Sequence, residues 1–183
     1  MMKIDINSNL ILRELKIEDS RNFYELLNRN YYYFLEALNW MDKDDLNNQA
    51  EESLKLRISM KNELNNLPAW FAIVYENKLC GMIGYNEIDN DNELGEIGYF
   101  IDEQYSSKGI MTLALNTVLE YSFSQLKLNK IELYIYENNI ASCKLADKFN
   151  FKLEGKLREV LKTDNDYLNQ NVYGLLNSEH IKQ

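Results

Sequence analysis

Leu94-Gly95-Glu96-Ile97-Gly98-Tyr99-Phe100-Ile101, followed after a short polar link by Tyr105-Ser106-Ser107-Lys108-Gly109-Ile110-Met111-Thr112, is the passage on which the fold turns. The first part has the apolar and aromatic content of a strand, and the second is a small-residue loop entering a helical pattern. Such a loop leaves the first backbone N–H groups of the helix without intrahelical partners, and the helix dipole favours negative charge there. It is a natural cradle for a pyrophosphate. Gly109 permits close approach to the backbone, and Ser106, Ser107 and Thr112 can add hydroxyl donors. On its own, a loop of this composition favours the plainer role of capping a helix.

Upstream, Trp70-Phe71-Ala72-Ile73-Val74-Tyr75 is a buried-strand run bounded by Pro68 and the turn Glu76-Asn77-Lys78. Leu79 to Ile88 is the next strand, and a polar turn, Asp89 to Asn92, leads into Leu94–Ile101, so these segments predict an antiparallel meander. Further back, Leu10 to Leu15 alternates with period two. Asp19 to Asn28 carries Phe23, Leu26 and Leu27 at helical spacing, and Asp45 to Leu64 does the same with Leu46, Ala50, Leu54 and Ile58. Downstream, Ile110, Ala114, Thr117, Val118 and Tyr121 share a helical face that ends near Leu126. Lys130 to Tyr136 is a strand with Ile131, Leu133 and Ile135 on one side, and Ala141 to Phe149 is a helix. Two last strands, Phe151 to Leu161 and Tyr167 to Leu176, meet across Asp164-Asn165-Asp166. This order predicts one α/β domain over residues 1–183 with a largely antiparallel sheet.

The bulk properties bound the function. A chain of 183 residues, 45% hydrophobic with one proline, can bury one core. No apolar run approaches the roughly 20 residues that cross a bilayer, and Met1-Met2-Lys3-Ile4-Asp5 lacks the apolar stretch of a signal peptide, so a cytoplasmic protein is expected. The net charge of −9, without a Lys/Arg cluster, argues against direct nucleic-acid binding. An acidic surface suits a cationic acceptor, and suits solubility as well. Cys80 and Cys143 lack metal-ligand spacing, and neither a disulfide nor a metal site is expected. The P-loop and dinucleotide fingerprints are absent, so a phosphate-bearing ligand belongs to another class.

Glu96-Ile97-Gly98-Tyr99-Phe100-Ile101-Asp102, the loop through Thr112, Asn139-Ile140-Ala141-Ser142 and Phe149-Asn150-Phe151-Lys152-Leu153-Glu154-Gly155 follow one another in an order and spacing that resembles the GNAT superfamily. The resemblance is strongest to its ribosomal-protein N-terminal acetyltransferase branch over residues 93–155, and weaker likeness, including Leu38-Asn39-Trp40, extends along the chain. It implies the acyl-CoA N-acyltransferase fold: a mixed, mostly antiparallel sheet of about seven strands with about four helices. It also implies acetyl-CoA as cosubstrate. The pantetheine would bond backbone at Tyr99, Phe100 and Ile101, the pyrophosphate would rest on Ser106, Ser107, Lys108, Gly109, Ile110, Met111 and Thr112, Asn139 would bond the pantetheine arm, and Ser142 would lie near the sulfur. The chain departs from the pattern at Ser106 and Ser107, where Gln or Arg and Gly are usual, and at Asn150, where Gly is usual. The tyrosine that protonates the leaving thiolate in many relatives would fall at Ala146.

The chemistry expected is direct attack of a neutral amine on the thioester, with a backbone N–H taking up the oxyanion and a base removing the amine proton. Glu96 is the preferred base, since it lies on the strand the thioester should follow; a solvated or salt-bridged carboxylate is its plain alternative. Glu159 is the second candidate; the carboxylate position used by some branch members falls at Leu161. Ser142 is the available proton donor near sulfur, unless its hydroxyl only bonds backbone. Cys143 has no histidine partner, because the only histidine is His180 in a tail expected to fray. Tyr31-Tyr32-Tyr33-Phe34 with Trp40 could line an acceptor groove or fill core. The acceptor is expected to be the N-terminal α-amine of a protein or peptide. A small amine such as a polyamine or aminoglycoside, or a weakly catalytic CoA-binding module, remain as alternatives. Exposed strands and the aromatic-rich helical half are compatible with a homodimer.

Overall fold

The computed structural model describes residues 2–35, 38, 40–163 and 166–180. Its elements are β1 (Lys3–Asp5), β2 (Leu10–Glu14), α1 (Ser20–Arg29), α2 (Tyr31–Phe34), α3 (Leu46–Ser59), β3 (Trp70–Tyr75), β4 (Lys78–Asp89), β5 (Leu94–Ile101), α4 (Ile110–Ser124), β6 (Lys130–Tyr136), α5 (Ile140–Lys148), β7 (Lys152–Lys162) and β8 (Tyr167–Leu176). Hydrogen bonding orders the strands β1-β2-β3-β4-β5-β6-β8-β7. Antiparallel pairing joins β1–β2, β2–β3, β3–β4, β6–β8 and β7–β8, whereas β5–β6 is parallel, with α4 as the crossover that parallel strands require.

Eight strands and five α-helices among the described residues stand where about seven and about four are expected. The added strand, β1, is three residues long, too short to show a period, and exists through its ladder with Ile11, Leu12 and Arg13 on β2. The added helix, α2, is a single turn set off from α1 by Asn30, whose φ of −105° and ψ of 16° leave the helical region. The helix expected over Asp45 to Leu64 stops at Ser59 and tightens into a 3-10 turn, Met60–Leu64, closed by Asn65 at φ 53°. The turn at Asp164-Asn165 and Asn39 of Leu38-Asn39-Trp40 lie outside the described residues.

Two compact units divide the chain, Met1–Gly84 with Tyr99–Thr117 and Tyr85–Gly98 with Val118–Gln183. In the first, β2 buries Leu10 and Leu12, α1 buries Phe23, Leu26 and Leu27, α3 buries Leu46, Ala50 and Leu54, and β3 buries Phe71, Ala72 and Ile73. Each such large side chain contributes about 1.5–3 kcal/mol, which holds a helix as short as α1 where propensity alone does not. Gly81 of β4 lets that strand run against the end of β5: a Cβ there would sit 2.4 Å from the Phe100 carbonyl oxygen.

In the second unit, Ile131, Leu133 and Ile135 of β6 turn into the core, so Lys130, Glu132 and Tyr134 take the opposite face. The Tyr85 hydroxyl is fully buried and bonded to Ser122, which removes the cost of an unsatisfied donor; burial raises its pKa far above the ordinary value. β7 is exposed along almost its whole length, ends the sheet order, and meets β8 with register shifts at Leu153/Gly155 and Leu157/Leu161. The C-terminal segment is docked rather than frayed as far as His180. That side chain is 5% exposed, with Nε2 2.9 Å from Glu120 Oε1 and its ring 5.1 Å from Phe123. A 3-10 turn, Asn177–Glu179, tied by Glu179 to Lys152, positions it. No described helix is long and apolar enough to cross a membrane.

Candidate active site

In the first unit, the loop between β5 and α4 is anchored at its base by Asp102, which is 2% exposed. Arg29 Nε and a guanidinium NH2 of the same side chain both lie 2.6 Å from Asp102 Oδ2. Asp102 Oδ1 accepts from the Gln104 backbone N–H at 3.1 Å, and Oδ2 accepts from the Gln104 side-chain amide at 2.9 Å. The Glu103 N–H donates to Asn30 Oδ1 at 3.0 Å. Burial alone would raise the Asp102 pKa, but Gln104 and Arg29 outweigh it and hold the carboxyl below its usual range.

Beyond this anchor, Ser107 adopts φ 61° and Gly109 φ 77°. These left-handed positions turn the chain into α4, strained at Ser107 and natural at Gly109. The Gly109 carbonyl accepts from Leu113 N–H at 3.1 Å, so Gly109 is the N-cap of α4 and has no side chain to turn back onto the first-turn N–H groups. Nothing lies within 4 Å of where its Cβ would be. Lys108 folds its Nζ over the Tyr105 ring at 4.9 Å, and Tyr105 meets Tyr75 edge-on at 5.8 Å. Ser106, Ser107, Lys108 and Gly109 form the loop, and Ile110, Met111 and Thr112 the first helical residues. On β5, Phe100 is buried against Phe23 and Phe34, with centroids 5.9 and 5.5 Å away, while Tyr99 and Ile101 are half-buried.

In the second unit, the parallel ladder pairs Leu94 with Lys130, Gly95 with Ile131 and Glu96 with Glu132. Glu96 Oε1 accepts from Asn86 Nδ2 at 2.7 Å. Gly98, two residues along the same face of β5, makes room for that amide, since a Cβ there would lie 2.7 Å from Asn86 Nδ2 and Oδ1. Burial, followed by the charges of Glu87 and Glu132, raises the Glu96 pKa despite the opposing Asn86 bond. Glu132 Oε1 is 2.7 Å from Lys130 Nζ, and its Oε2 accepts from the Tyr134 hydroxyl at 3.2 Å. Lys130 also reaches Glu154 at 2.7 Å, across Gly174, where a Cβ would lie 2.3 Å from a Glu154 carboxylate oxygen. Burial alone would lower the Lys130 pKa, but these two carboxylates carry it upward.

Asn139 is the N-cap of α5: its side-chain oxygen accepts from Ser142 N–H at 3.1 Å, leaving its amide N–H groups as the end available to a ligand. Both residues thus share one helical turn. Ala146 is fully buried and supplies no hydroxyl; Asn150 holds φ 61° just past α5, the left-handed position for which glycine is the usual choice and asparagine a tolerated one. Cys143 is a free thiol with Asn171 Nδ2 at 4.0 Å. The neighbouring Tyr173 hydroxyl is pushed up to about 12 by burial and then by Cys143.

Glu159 stands exposed on β7 at φ 55°, its N–H bonded to Asn169, and shares none of the recorded hydrogen bonds around Glu96. The aromatic group divides: Phe34 is core, while Tyr32 and Tyr33 are exposed, with Lys43 Nζ 5.1 Å over the Tyr32 ring. Asn86, Lys130, Glu132 and Tyr134 escaped the sequence reading. The signal for three of them was the polar half of the β6 alternation, opposite Ile131, Leu133 and Ile135.

The family model described as Acetyltransferase (GNAT) domain matches residues 9–152. Ribosomal-protein-serine acetyltransferase of Escherichia coli (strain K12) is 26% identical over 172 residues, covering 93% of this chain and 94% of that protein. Spermine/spermidine N(1)-acetyltransferase of Bacillus subtilis (strain 168) is 34% identical over 92 residues, covering 47% of this chain and 60% of that protein. Among solved structures, the microcin C7 self-immunity acetyltransferase MccE in complex with acetyl-CoA and AMP superposes with a TM-score of 0.80 at 22% identity, covering 94% of this chain and 95% of that one, a likeness of fold.

Proposed function

This chain belongs to the GNAT acetyltransferase family, and from that premise we propose that it moves the acetyl group of acetyl-CoA to the N-terminal α-amine of a protein or peptide. The observation that carries the amine side is Glu96, a half-buried carboxylate whose direct hydrogen-bond partner is the neutral Asn86 amide and whose proton affinity is raised by burial. A carboxylate so placed is better matched to accepting a proton near neutral pH than a fully solvated one.

On the cosubstrate side, the first-turn N–H groups of Ile110, Met111 and Thr112 with the loop Ser106–Gly109 would hold the pyrophosphate. The side-chain-free N-cap and the left-handed turns at Ser107 and Gly109 support this fit. In the first unit, the backbone at Tyr99, Phe100 and Ile101 would bond pantetheine. Bound acetyl-CoA supplies the thioester carbonyl and the thiolate leaving group. An α-amine has a reference pKa of roughly 8, so about a tenth of it is neutral and nucleophilic at pH 7. As the C–N bond forms, Glu96 takes the nitrogen's proton and a β5 backbone N–H faces the developing oxyanion. The C–S electron pair leaves with sulfur; a thiol pKa near 8.5 lets it depart as thiolate, with the Ser142 hydroxyl as the hydrogen-bond donor in place of the absent tyrosine.

The name of the E. coli relative, a ribosomal-protein-serine acetyltransferase, supports a protein as acceptor. A polyamine is the second reading, favoured by the Bacillus relative and by the carboxylates Glu87 and Glu132 around the proposed base Glu96. Thiol release from acetyl-CoA, measured with a peptide bearing a free N-terminal serine and separately with spermidine, tests both. Turnover of the peptide is expected, with Glu96→Gln losing about 10²–10⁴ in kcat/KM. Turnover of spermidine without the peptide moves the assignment to the second reading. A Glu96→Gln protein with undiminished rate removes Glu96 as the base.

A further inference from the structure

Glu96 and Glu132 are directly paired residues of the parallel β5–β6 ladder, so their side chains leave the same face of the sheet side by side. Like charges in that relation repel. Yet the two carboxylates have different partners. Glu132 is fixed by Lys130 at 2.7 Å and by the Tyr134 hydroxyl at 3.2 Å. Glu96 has the uncharged Asn86 amide. A neighbouring carboxylate raises the proton affinity of the one beside it.

We propose that Glu132, held by Lys130 beside Glu96 on one face of the sheet, is a positioning residue whose carboxylate sets the pH at which Glu96 accepts the amine proton. The proposal rests on Glu96 being the base. The proton passes from the attacking nitrogen to a Glu96 carboxylate oxygen, and Glu132 acts through Glu96.

The groups facing Glu96 are Asn86 and Glu87 from β4, Glu132 with its partners Lys130 and Tyr134 from β6, and, through Lys130, Glu154 from β7. Glu87 acts in the same direction as Glu132 but is exposed and tied to no recorded partner, so salt screens it. Glu132 has a side chain 14% exposed and is held at two atoms, so its effect persists at high salt. Gly174 serves the same arrangement, because only without a Cβ there can Glu154 reach across to hold Lys130 in place.

The test reads Glu96 with and without turnover. In the intact protein, the Glu96 carboxyl is titrated by carbon-13 NMR at high salt, assigned by its disappearance in Glu96→Gln. The pH profile of kcat/KM is recorded with the N-terminal-serine peptide, whose own titration is common to all variants. Glu132→Gln keeps the shape and hydrogen-bonding capacity of the side chain and should move the Glu96 midpoint and the acid limb to lower pH. On that limb it should retain about three times the wild-type fraction of plateau activity. Lys130→Met, which leaves Glu132 unopposed, should move both in the other direction. Midpoints that stay put, or that move the same way in both variants, overturn the role of Glu132. An acid limb that survives in Glu96→Gln overturns the base assignment instead, whatever the NMR midpoints do.

Discussion

Replacing Asp102 by Asn changes one atom at the foot of the loop that enters α4, and its consequences can be followed bond by bond. Oδ2 receives two guanidinium nitrogens of Arg29 at 2.6 Å and the Gln104 amide at 2.9 Å; an Asn amide nitrogen in that place is a donor facing donors. The Oδ1 bond to the Gln104 N–H can survive. A hydrogen bond to a charged group contributes about 1.5–3 kcal/mol, and the Arg29 side chain, 42% exposed, recovers part of its loss from water, so the net cost is about 2 kcal/mol. For a protein of this size that is a fall in Tm of about 4–8 °C. Since the Asp102 carboxyl lies below its ordinary pKa in the folded protein, its contribution is fully present above the unfolded value of about 3.9 and disappears as pH falls through the folded one. The Tm difference between wild type and Asp102→Asn should therefore be flat from pH 6 to 8 and close only in acid. If the loop binds pyrophosphate, the KM for acetyl-CoA should rise about three- to tenfold, with kcat within about twofold. A variant with unchanged Tm and unchanged KM refutes the anchoring role.

Gly98→Ala places a methyl 2.7 Å from the Asn86 amide and must displace it from Glu96. Since that bond lowers the Glu96 pKa, the acid limb of the pH–rate profile should move upward; an unmoved limb counts against Asn86 as its partner. Cys80 is buried, bonded to the Ile73 carbonyl, and its thiol is pushed up to about 12 by burial, so a maleimide at neutral pH should label only Cys143 until the protein unfolds. Mass spectrometry of peptides from the labelled native protein showing modified Cys80 would contradict this.

Much of the structure around the β5–α4 loop was legible in the sequence because it is local. A strand, a small-residue loop and a helix follow one another without interruption, and the left-handed turn at Gly109 is announced by the residue that needs it. Ser107 was not foreseen as left-handed, because serine rarely adopts that conformation. The surroundings of Glu96 were illegible for the opposite reason. Asn86, Glu132 and Glu154 come from three other strands, and their meeting depends on register and on the missing Cβ atoms of Gly98 and Gly174. Periodicity could say that Lys130, Glu132 and Tyr134 share a face of β6, but not what faces them. His180 misled because proximity to the chain end suggests fraying, whereas Glu120 and Phe123 hold its ring.

The edge strand β7 carries Leu153, Leu157 and Val160 in the open, a composition that ordinarily invites another chain to pair along it and grow into an aggregate. Its two register shifts bend the backbone out of the straight, evenly spaced line of donors and acceptors that such growth requires, and its lysines and arginine oppose stacking of identical strands. The irregularity of β7 is thus a guard on solubility. Engineering that straightens it, by deleting a residue at either shift, should make the protein form fibres or precipitate while the residues around Glu96 and the β5–α4 loop remain intact.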